Sequence, residues 1–145
     1  PGLPDDDEVQ PQSADRFRTQ HAAADVVVKW RGVSVQGELH RKHVQVTRTG
    51  VERTVVGGYV MAGVLASTLW ARAPRPLELS ARLALVDPAR EVADNQQQEM
   101  VAGGSWYFDG HRSRLGVDVT RLRYRTPTGT RSTDLRTRVQ WEFTF

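Results

Sequence analysis

Arginines at alternate positions give this chain its clearest candidate chemistry, which is the binding of oxyanions. The chain carries 20 Lys and Arg residues, and only Lys29 and Lys42 are lysines. A guanidinium group stays charged and donates two parallel hydrogen bonds to a carboxylate or phosphate. Residues two apart on a strand point to the same side. The candidate anion-facing residues are Lys29, Arg82, Arg114, Arg121, Arg123, Arg125, Arg136 and Arg138.

A second interpretation of the same basic residues stays open. Opposite charges on neighbouring strands form cross-strand pairs, which would make a neutral polar network rather than an anion path. Arg121, Arg123 and Arg125 also fit a charged rim at one end of the strands. The carboxylates available for pairing are Asp25, Glu38, Glu78, Glu99, Asp118 and Glu142.

Residues for catalysis or metal binding form no recognisable pattern. The chain has no Cys, and its four histidines, His21, His40, His43 and His111, are scattered. His40 and His43 are expected in a solvated loop. No serine or carboxylate shows the spacing of a nucleophile with its base. We therefore expect no enzyme, no catalytic residue, no metal site and no cofactor.

Composition excludes one class of membrane protein and leaves another open. Hydrophobic residues make up 39% of the 145 residues, and the mean hydropathy is −0.51. No apolar run approaches the roughly 18 residues of a spanning helix. The strands of a transmembrane β-barrel alternate apolar and polar residues, so their mean hydropathy stays low.

The elements that position the arginines are predicted to be strands throughout. Residues 1–20 are expected to be a loop or disordered lead, and residues 21–145 to hold an antiparallel, up-and-down, all-β arrangement. Leu122 and Tyr124 fall out of phase with Leu115 and Val117, which predicts a bulge near residues 120–121. The predicted strands are 24–31, 33–41, 55–67, 77–87, 97–108, 113–125 and 134–145.

Aromatic residues are predicted to lie in two rows. Each Trp falls at or just past the end of an odd-numbered strand, and such strands run in the same direction. Aromatic girdles at both interfaces of an apolar band are typical of transmembrane barrels. One row is Trp30, Trp70, Trp106, Phe108, Trp141, Phe143 and Phe145, and the opposite row is Tyr59 and Tyr124. Between them, Leu77, Leu79, Ala81, Leu83 and Leu85 alternate with Glu78, Ser80, Arg82, Ala84 and Val86. Arg82 is therefore expected to face away from lipid.

Several motifs in order resemble a known family. "VKWRGVSVQGELHR", "GGYVMAGVLAS", "LELSARLALVDP", "GGSWYFDGHRSRLGVDVTRL" and the final "LRTRVQWEFTF" are similar to the last hairpins of phosphate-selective porins (porin O and P-like) of the bacterial outer membrane. The resemblance implies a barrel of about sixteen strands, often trimeric, with an arginine-lined passage for anions. It also implies that the outer-membrane assembly machinery reads Phe145 with the alternating aromatics before it.

Seven strands are too few for such a barrel. Single-chain bacterial barrels use an even number of strands, from eight upward, and open edges leave backbone groups unpaired in lipid. We therefore expect a C-terminal part of a longer protein, or one component of a multi-chain barrel. The remainder of the barrel is then an upstream chain or a partner subunit.

Three functions are compared. The first is an outer-membrane porin that passes small, phosphate-like anions by passive diffusion, with lipid, the assembly machinery and the anions as partners. The second is a structural barrel component that anchors a larger outer-membrane assembly. The third is a soluble nucleic-acid-binding barrel, because a pI of about 9.8 is typical of nucleic-acid-binding domains. We expect no nucleic-acid partner, because the aromatics alternate to the face opposite the arginines.

Deletion of Phe145 tests the interpretation of the chain's ending. One interface aromatic contributes little to the wall as a whole, so the deletion is expected to slow membrane insertion far more than it destabilises folded protein. Insertion kinetics and unfolding of the folded protein are measured side by side. Unchanged insertion kinetics and yield would show that this signal is not used.

Overall fold

The computed structural model describes residues 16–109, 112–125 and 129–144, and the fold is all-β. Seven antiparallel strands form one open sheet in the order β1-β2-β3-β4-β5-β6-β7, so each strand pairs with its neighbours in the chain. The predicted up-and-down arrangement of seven strands is confirmed. The elements are β1 (Phe17–Trp30), β2 (Val33–Val46), β3 (Glu52–Leu65), α1 (Ala66–Leu69), β4 (Leu77–Asp87), β5 (Gln97–Tyr107), β6 (Ser113–Arg125) and β7 (Arg131–Phe143).

The first hairpin has the tightest connection. Only Arg31 and Gly32 join β1 to β2, and both have positive φ, 44° and 80°. A two-residue turn with two positive φ values follows the right-handed twist of the strands it joins. The Arg31 guanidinium lies over the Trp30 ring, 5.0 Å from its centroid, and this cation–π contact favours the strained arginine conformation.

β4 and β6 have their predicted bounds, whereas β1, β2, β3 and β7 each extend beyond the predicted bounds at one end. β2 continues to Val46 and β3 begins at Glu52, so the expected long link between them is only residues 47–51. The longest connections are residues 66–76, which contain α1, and residues 88–96, and they lie at opposite ends of the sheet.

The predicted N-terminal lead also ends earlier than expected. β1 begins at Phe17, so residues 17–20 belong to a strand that pairs with the end of β2. Residues 1–15 of the lead lie outside the described residues, as do Gly110 and His111 of the fifth connection and the terminal Phe145.

The predicted bulge in the sixth strand is wrong. β6 pairs without interruption from Ser113 to Arg125 with β7, and from Arg114 to Tyr124 with β5. A bulge would leave one backbone position of β6 unpaired on both sides. The register is kept instead, and Leu122 and Tyr124 lie on the opposite face from Leu115 and Val117.

The sheet is a single layer with almost no interior. Among the described residues only Thr54, Gly63, Ala66, Ala89 and Thr120 are buried. Every residue of β1 and β7 is exposed, because each of these edge strands has a neighbour on one side only. The described residues contain no helix that is long and apolar enough to cross a membrane.

The connection of residues 88–96 is hydrogen bonded to the beginning of β3. The backbone N–H of Arg90 donates to the Thr54 carbonyl at 3.0 Å, and the Thr54 N–H donates to the Glu91 carboxylate at 2.9 Å. Hydrogen bonds from the Glu91 backbone, and then from Thr54, lower the pKa of the Glu91 carboxyl. A lowered pKa means that this anchor persists at neutral pH and is lost as the pH falls through the folded-state value.

The space beside two glycines, Gly103 on β5 and Gly116 on β6, shows where the two strands are tightly packed. A Cβ at Gly103 would lie 2.6 Å from the Val117 carbonyl oxygen, whereas one at Gly116 meets nothing closer than 3.6 Å. Gly103→Ala is expected to lower the free energy of unfolding by about 1–3 kcal/mol, the usual cost of overpacking. Gly116→Ala is the matched control and is expected to change it far less. Equal effects in denaturant unfolding would contradict the close approach.

Candidate functional site

The polar face of the sheet holds the candidate site. Residues directly opposite each other on paired strands lie on the same face, so the register assigns a face to every strand residue. One continuous row contains Lys29, Ser34, Ser80, Asp118 and Arg138, and the next contains Gln36, Arg82, Thr120 and Arg136. We call the face defined by these two rows the polar face and the opposite one the apolar face.

The register divides the eight basic candidates into two groups. Lys29, Arg82, Arg114, Arg136 and Arg138 lie on the polar face. Arg121 and Arg123 are opposite Leu135 and Thr133, on the apolar face, and Arg125 follows them there. The expectation that these three arginines share a face with Arg82 is corrected, because the bulge that would have turned them is absent.

Three of the polar-face arginines are held in cross-strand ion pairs. Arg82 Nη1 donates to Glu99 Oε1 at 3.0 Å. Arg114 Nη2 donates to Glu142 Oε1 at 2.7 Å, and Arg138 Nε donates to Asp118 Oδ2 at 2.8 Å. The pairs tie β4 to β5 and β6 to β7. They are the cross-strand contacts that the alternative interpretation of the basic residues predicted.

Arg82 makes a further contact that the sequence did not predict. Its guanidinium carbon lies 4.6 Å from the centroid of the Tyr59 ring, and the Tyr59 hydroxyl accepts a hydrogen bond from Gln36 Nε2 at 2.7 Å. The Tyr59 ring therefore helps to position the Arg82 guanidinium, and the Tyr59 hydroxyl links β3 to Gln36 on β2. The signal was available, since Tyr59 alternates with Val60 and so points away from the apolar side chains.

A second polar cluster lies nearer the β1–β2 turn. The Tyr107 hydroxyl donates to Glu78 Oε2 at 2.5 Å. A Cβ at Gly63 would lie 2.6 Å from the other Glu78 oxygen and 2.8 Å from the Ser34 hydroxyl. Gly63 therefore leaves room for the Glu78 carboxylate to lie across β3.

Lys29 and Arg136, like Lys42 near the far end of β2, differ from the paired arginines of the polar face. Within the described ranges neither forms an ion pair or a side-chain hydrogen bond. Arg136 lines a cleft of about 500 Å³ that crosses the polar face from β3 to β7, together with Arg82, Arg114 and Arg138. Arg136 is the guanidinium in this cleft whose donors are not already taken by a described carboxylate.

Formal charges on the polar face are balanced. The strand residues there include seven cations and seven carboxylates. The cations are Lys29, Lys42, Arg53, Arg82, Arg114, Arg136 and Arg138. The carboxylates are Asp25, Glu38, Glu78, Glu99, Asp118, Asp134 and Glu142. The chain's basic character therefore does not come from this face.

The apolar face is unprotected. Large apolar side chains of this face are exposed in all seven strands, from Val28 at 56% to Leu85 at 54% and Leu135 at 73%. A soluble monomer rarely leaves so extensive a contiguous apolar surface in contact with water. On the polar face the exposed large apolar side chains are Phe17, Val27, Met61, Leu65 and Val86.

Aromatic side chains collect at one end of the apolar face, which we call the aromatic edge: Trp30, Trp106, Phe108, Trp141 and Phe143. The rings of Trp141 and Phe143 are 5.1 Å apart and those of Phe108 and Trp141 are 6.0 Å apart, both stacked. Trp141 Nε1 donates to the Ser113 hydroxyl at 3.2 Å. Trp70 follows α1 at this end but lies outside the strands.

The predicted second aromatic row does not form on the apolar face. Tyr59 is opposite Glu38 and Ala84, and Tyr124 is opposite Gln97 and Ser132, so both lie on the polar face. Tyr124 lies near the end of β6, as predicted, whereas Tyr59 lies in the middle of β3 rather than near its start. The predicted side of the sheet is wrong for both. The far end of the apolar face carries arginines instead.

The histidines that the structure describes do not assemble a metal site. His40 and His43 lie within β2 rather than in a loop, where His40 pairs with Glu38 at 2.6 Å and His43 hydrogen bonds to Thr54 at 3.1 Å. In the part of the chain that the structure describes, no group of three or more His, Asp or Glu residues could hold a metal ion.

Comparisons with protein-family models, with curated proteins and with solved structures found no match to this chain.

Proposed function

We propose that the sheet is part of the wall of a membrane-spanning β-barrel in the bacterial outer membrane, and that its polar face lines a water-filled passage for small, phosphate-like anions. The observation that carries the proposal is the combination of one exposed apolar face with one charged face in a single layer. Lipid covers the first face and water the second, and each then has the solvent that suits it.

The two edges of the sheet support closure into a larger barrel. β1 pairs only with β2 and β7 pairs only with β6 among the described strands. Each unpaired backbone group costs several kcal/mol in hydrocarbon, so further strands from the rest of the protein or from a partner subunit must cover these edges. The resemblance to phosphate-selective porins favours about sixteen strands in all and a trimer.

Anion preference rests on few residues in this proposal. Arg82, Arg114 and Arg138 are neutralised by their carboxylate partners. Lys29, Lys42, Arg53 and Arg136 have no such partner among the described residues. Arg136 is the one of these cations that lines the cleft of the polar face, and a guanidinium suits an oxyanion better than a halide.

The balanced charge of the polar face favours a second candidate. A neutral network of ion pairs solvates the inside of a barrel without selecting ions, as expected of a structural component that anchors a larger assembly. Ion conduction separates the two candidates, because a structural barrel conducts little.

Placement of the apolar face in lipid is tested by moving one charge by one residue. Leu83→Arg places a cation among apolar side chains and is expected to cost about 2–4 kcal/mol near the membrane midplane, which blocks insertion. Ala84→Arg is the matched control, because residue 84 lies on the polar face opposite Glu99. Insertion of both variants into lipid vesicles is measured. Equal insertion of the two would contradict the assignment of faces.

Selectivity is tested by comparing a free charge with a neutralised one. Arg136→Gln removes a positive charge and is expected to shift the reversal potential of the closed barrel toward cation passage. The shift is larger at low salt, where the Debye length is about 30 Å at 0.01 M. The double change Asp118→Asn with Arg138→Gln removes a complete ion pair, so the net charge and the reversal potential are expected to stay unchanged.

Three results of these bilayer recordings would contradict the proposal, each in a different part. Cation preference in the unmodified barrel would overturn it. An unchanged reversal potential in Arg136→Gln would remove the role of this residue. Absence of conduction in a protein that inserts normally would leave the structural candidate.

A further inference from the structure

The positive charge of the apolar face is concentrated at the end away from the aromatic edge. Strand residues of this face include six arginines but only two carboxylates, Glu52 and Asp87. The arginines are Arg18, Arg41, Arg121, Arg123, Arg125 and Arg131. Arg121, Arg123, Arg125 and Arg131 lie together on β6 and β7, and we call this group the arginine edge.

The arginines of the arginine edge lie close enough together to repel one another. Arg121, Arg123 and Arg125 occupy successive positions of one face, about 7 Å apart, and Arg125 is directly opposite Arg131. Like charges directly opposite each other destabilise a sheet. Arg125 pairs with Asp94 at 2.7 Å. The other three are exposed and have no ion pair with any residue of the described ranges, so their guanidinium groups are available to an anion from outside the sheet.

An apolar cleft runs up to these arginines. It has a volume of about 550 Å³ and is lined by Val60, Leu83, Met100 and Val119 around the small side chains of Ala62, Ala81 and Ala102. Arg121 lines this cleft and also lines a polar cleft of about 430 Å³ that contains Arg123, Arg125 and Arg131. One residue therefore joins an apolar cleft to a cationic one.

We propose that the arginine edge binds the phosphate-bearing headgroup of an anionic lipid, one of whose acyl chains lies in the adjoining apolar cleft. The inference rests on the membrane placement in the proposed function, but not on transport. A lipid is the occupant, rather than free phosphate, because the cationic and apolar clefts share Arg121 and a single amphipathic molecule fills both.

The dimensions of β6 fit this placement. Ser113, opposite Phe143 of the aromatic edge, and Arg121 are eight residues apart, or about 27 Å along the strand. A strand tilt of about 35–45° reduces this to roughly 20 Å across the membrane, slightly less than the apolar band of about 25 Å. The Arg121 backbone then lies just inside the apolar band, and its long side chain reaches the headgroups with its stem on apolar surface.

The test uses the full-length protein reconstituted in phosphatidylcholine bilayers with spin-labelled phosphatidic acid or spin-labelled phosphatidylcholine as the probe. The relative association constant of the two probes is expected to favour phosphatidic acid. Arg121→Gln and Arg123→Gln are each expected to lower that preference by about fivefold, as for one basic side chain near an anionic surface. The double variant Arg121→Gln with Arg123→Gln is measured as well. If the double variant does not insert, the two single variants still test the proposal.

The matched control is the double change Arg136→Gln with Arg138→Gln. It also removes two arginines spaced two residues apart, but from the polar face, and is expected to leave the lipid preference unchanged. An equal loss of preference in this control would overturn the proposal, as would an unchanged preference in Arg121→Gln and Arg123→Gln.

Two further outcomes identify what has failed. Excess inorganic phosphate at constant ionic strength is expected to leave the preference in place, and full displacement of the lipid would show a site for soluble anions instead. Insertion without any preference for phosphatidic acid would overturn the lipid site alone. Failure of the unmodified protein to insert would overturn both the lipid site and the proposed function.

Discussion

The uninterrupted antiparallel register is the constraint on which the rest of the structure depends. Side chains of a strand alternate between faces, so a slip of one residue would exchange the faces of a whole strand. In β4, Arg82 pairs with Glu99 on one face while the next residue, Leu83, is opposite Val60 and Met100 on the other. Each strand keeps this phase along its full paired length, and in β6 it holds even where the apolar pattern changes.

Charge is distributed by this register rather than by the composition of the chain. The polar face balances its cations with carboxylates, and its pairs join neighbouring strands at Arg82, Arg114 and Arg138. Exposed pairs of this kind contribute about 0–1 kcal/mol each, so they help fix the register more than they stabilise the sheet. The excess of positive charge lies instead at the arginine edge and in the connections.

Much of the fold followed from the sequence where apolar and polar residues alternate strictly. β7 alternates in this way and β4 does so over Leu77–Leu83, and their positions were predicted from it. β2 was cut short because "RKHVQV" offers few apolar residues, yet polar pairs such as Gln45 with Glu52, at 3.0 Å, continue the strand to Val46. A polar stretch can therefore continue a strand where a neighbouring strand supplies hydrogen-bond partners, and a single sequence does not display that neighbour.

The candidate site was predicted in part, and the errors have one physical origin. Leu122 and Tyr124 suggested that β6 changes phase, because apolar residues were assumed to follow the apolar face. Backbone pairing with both β5 and β7 prevents a phase change, since a bulge would disturb two ladders at once. Arg121, Arg123 and Arg125 are consequently carried to the apolar face, and Tyr59 and Tyr124 to the polar one.

The two ends of the apolar face are chemically different, and this difference gives the sheet a direction in the proposed membrane. Trp and Phe rings at the aromatic edge suit an interface where apolar bodies meet water. Guanidinium groups at the arginine edge suit an interface rich in phosphate. Because β6 and β7 are held in a fixed register, the arginine edge and the stacked rings of Trp141 and Phe143 lie at opposite ends of the same two strands. In the proposed membrane, turning the sheet over would therefore exchange the surfaces that the two edges face.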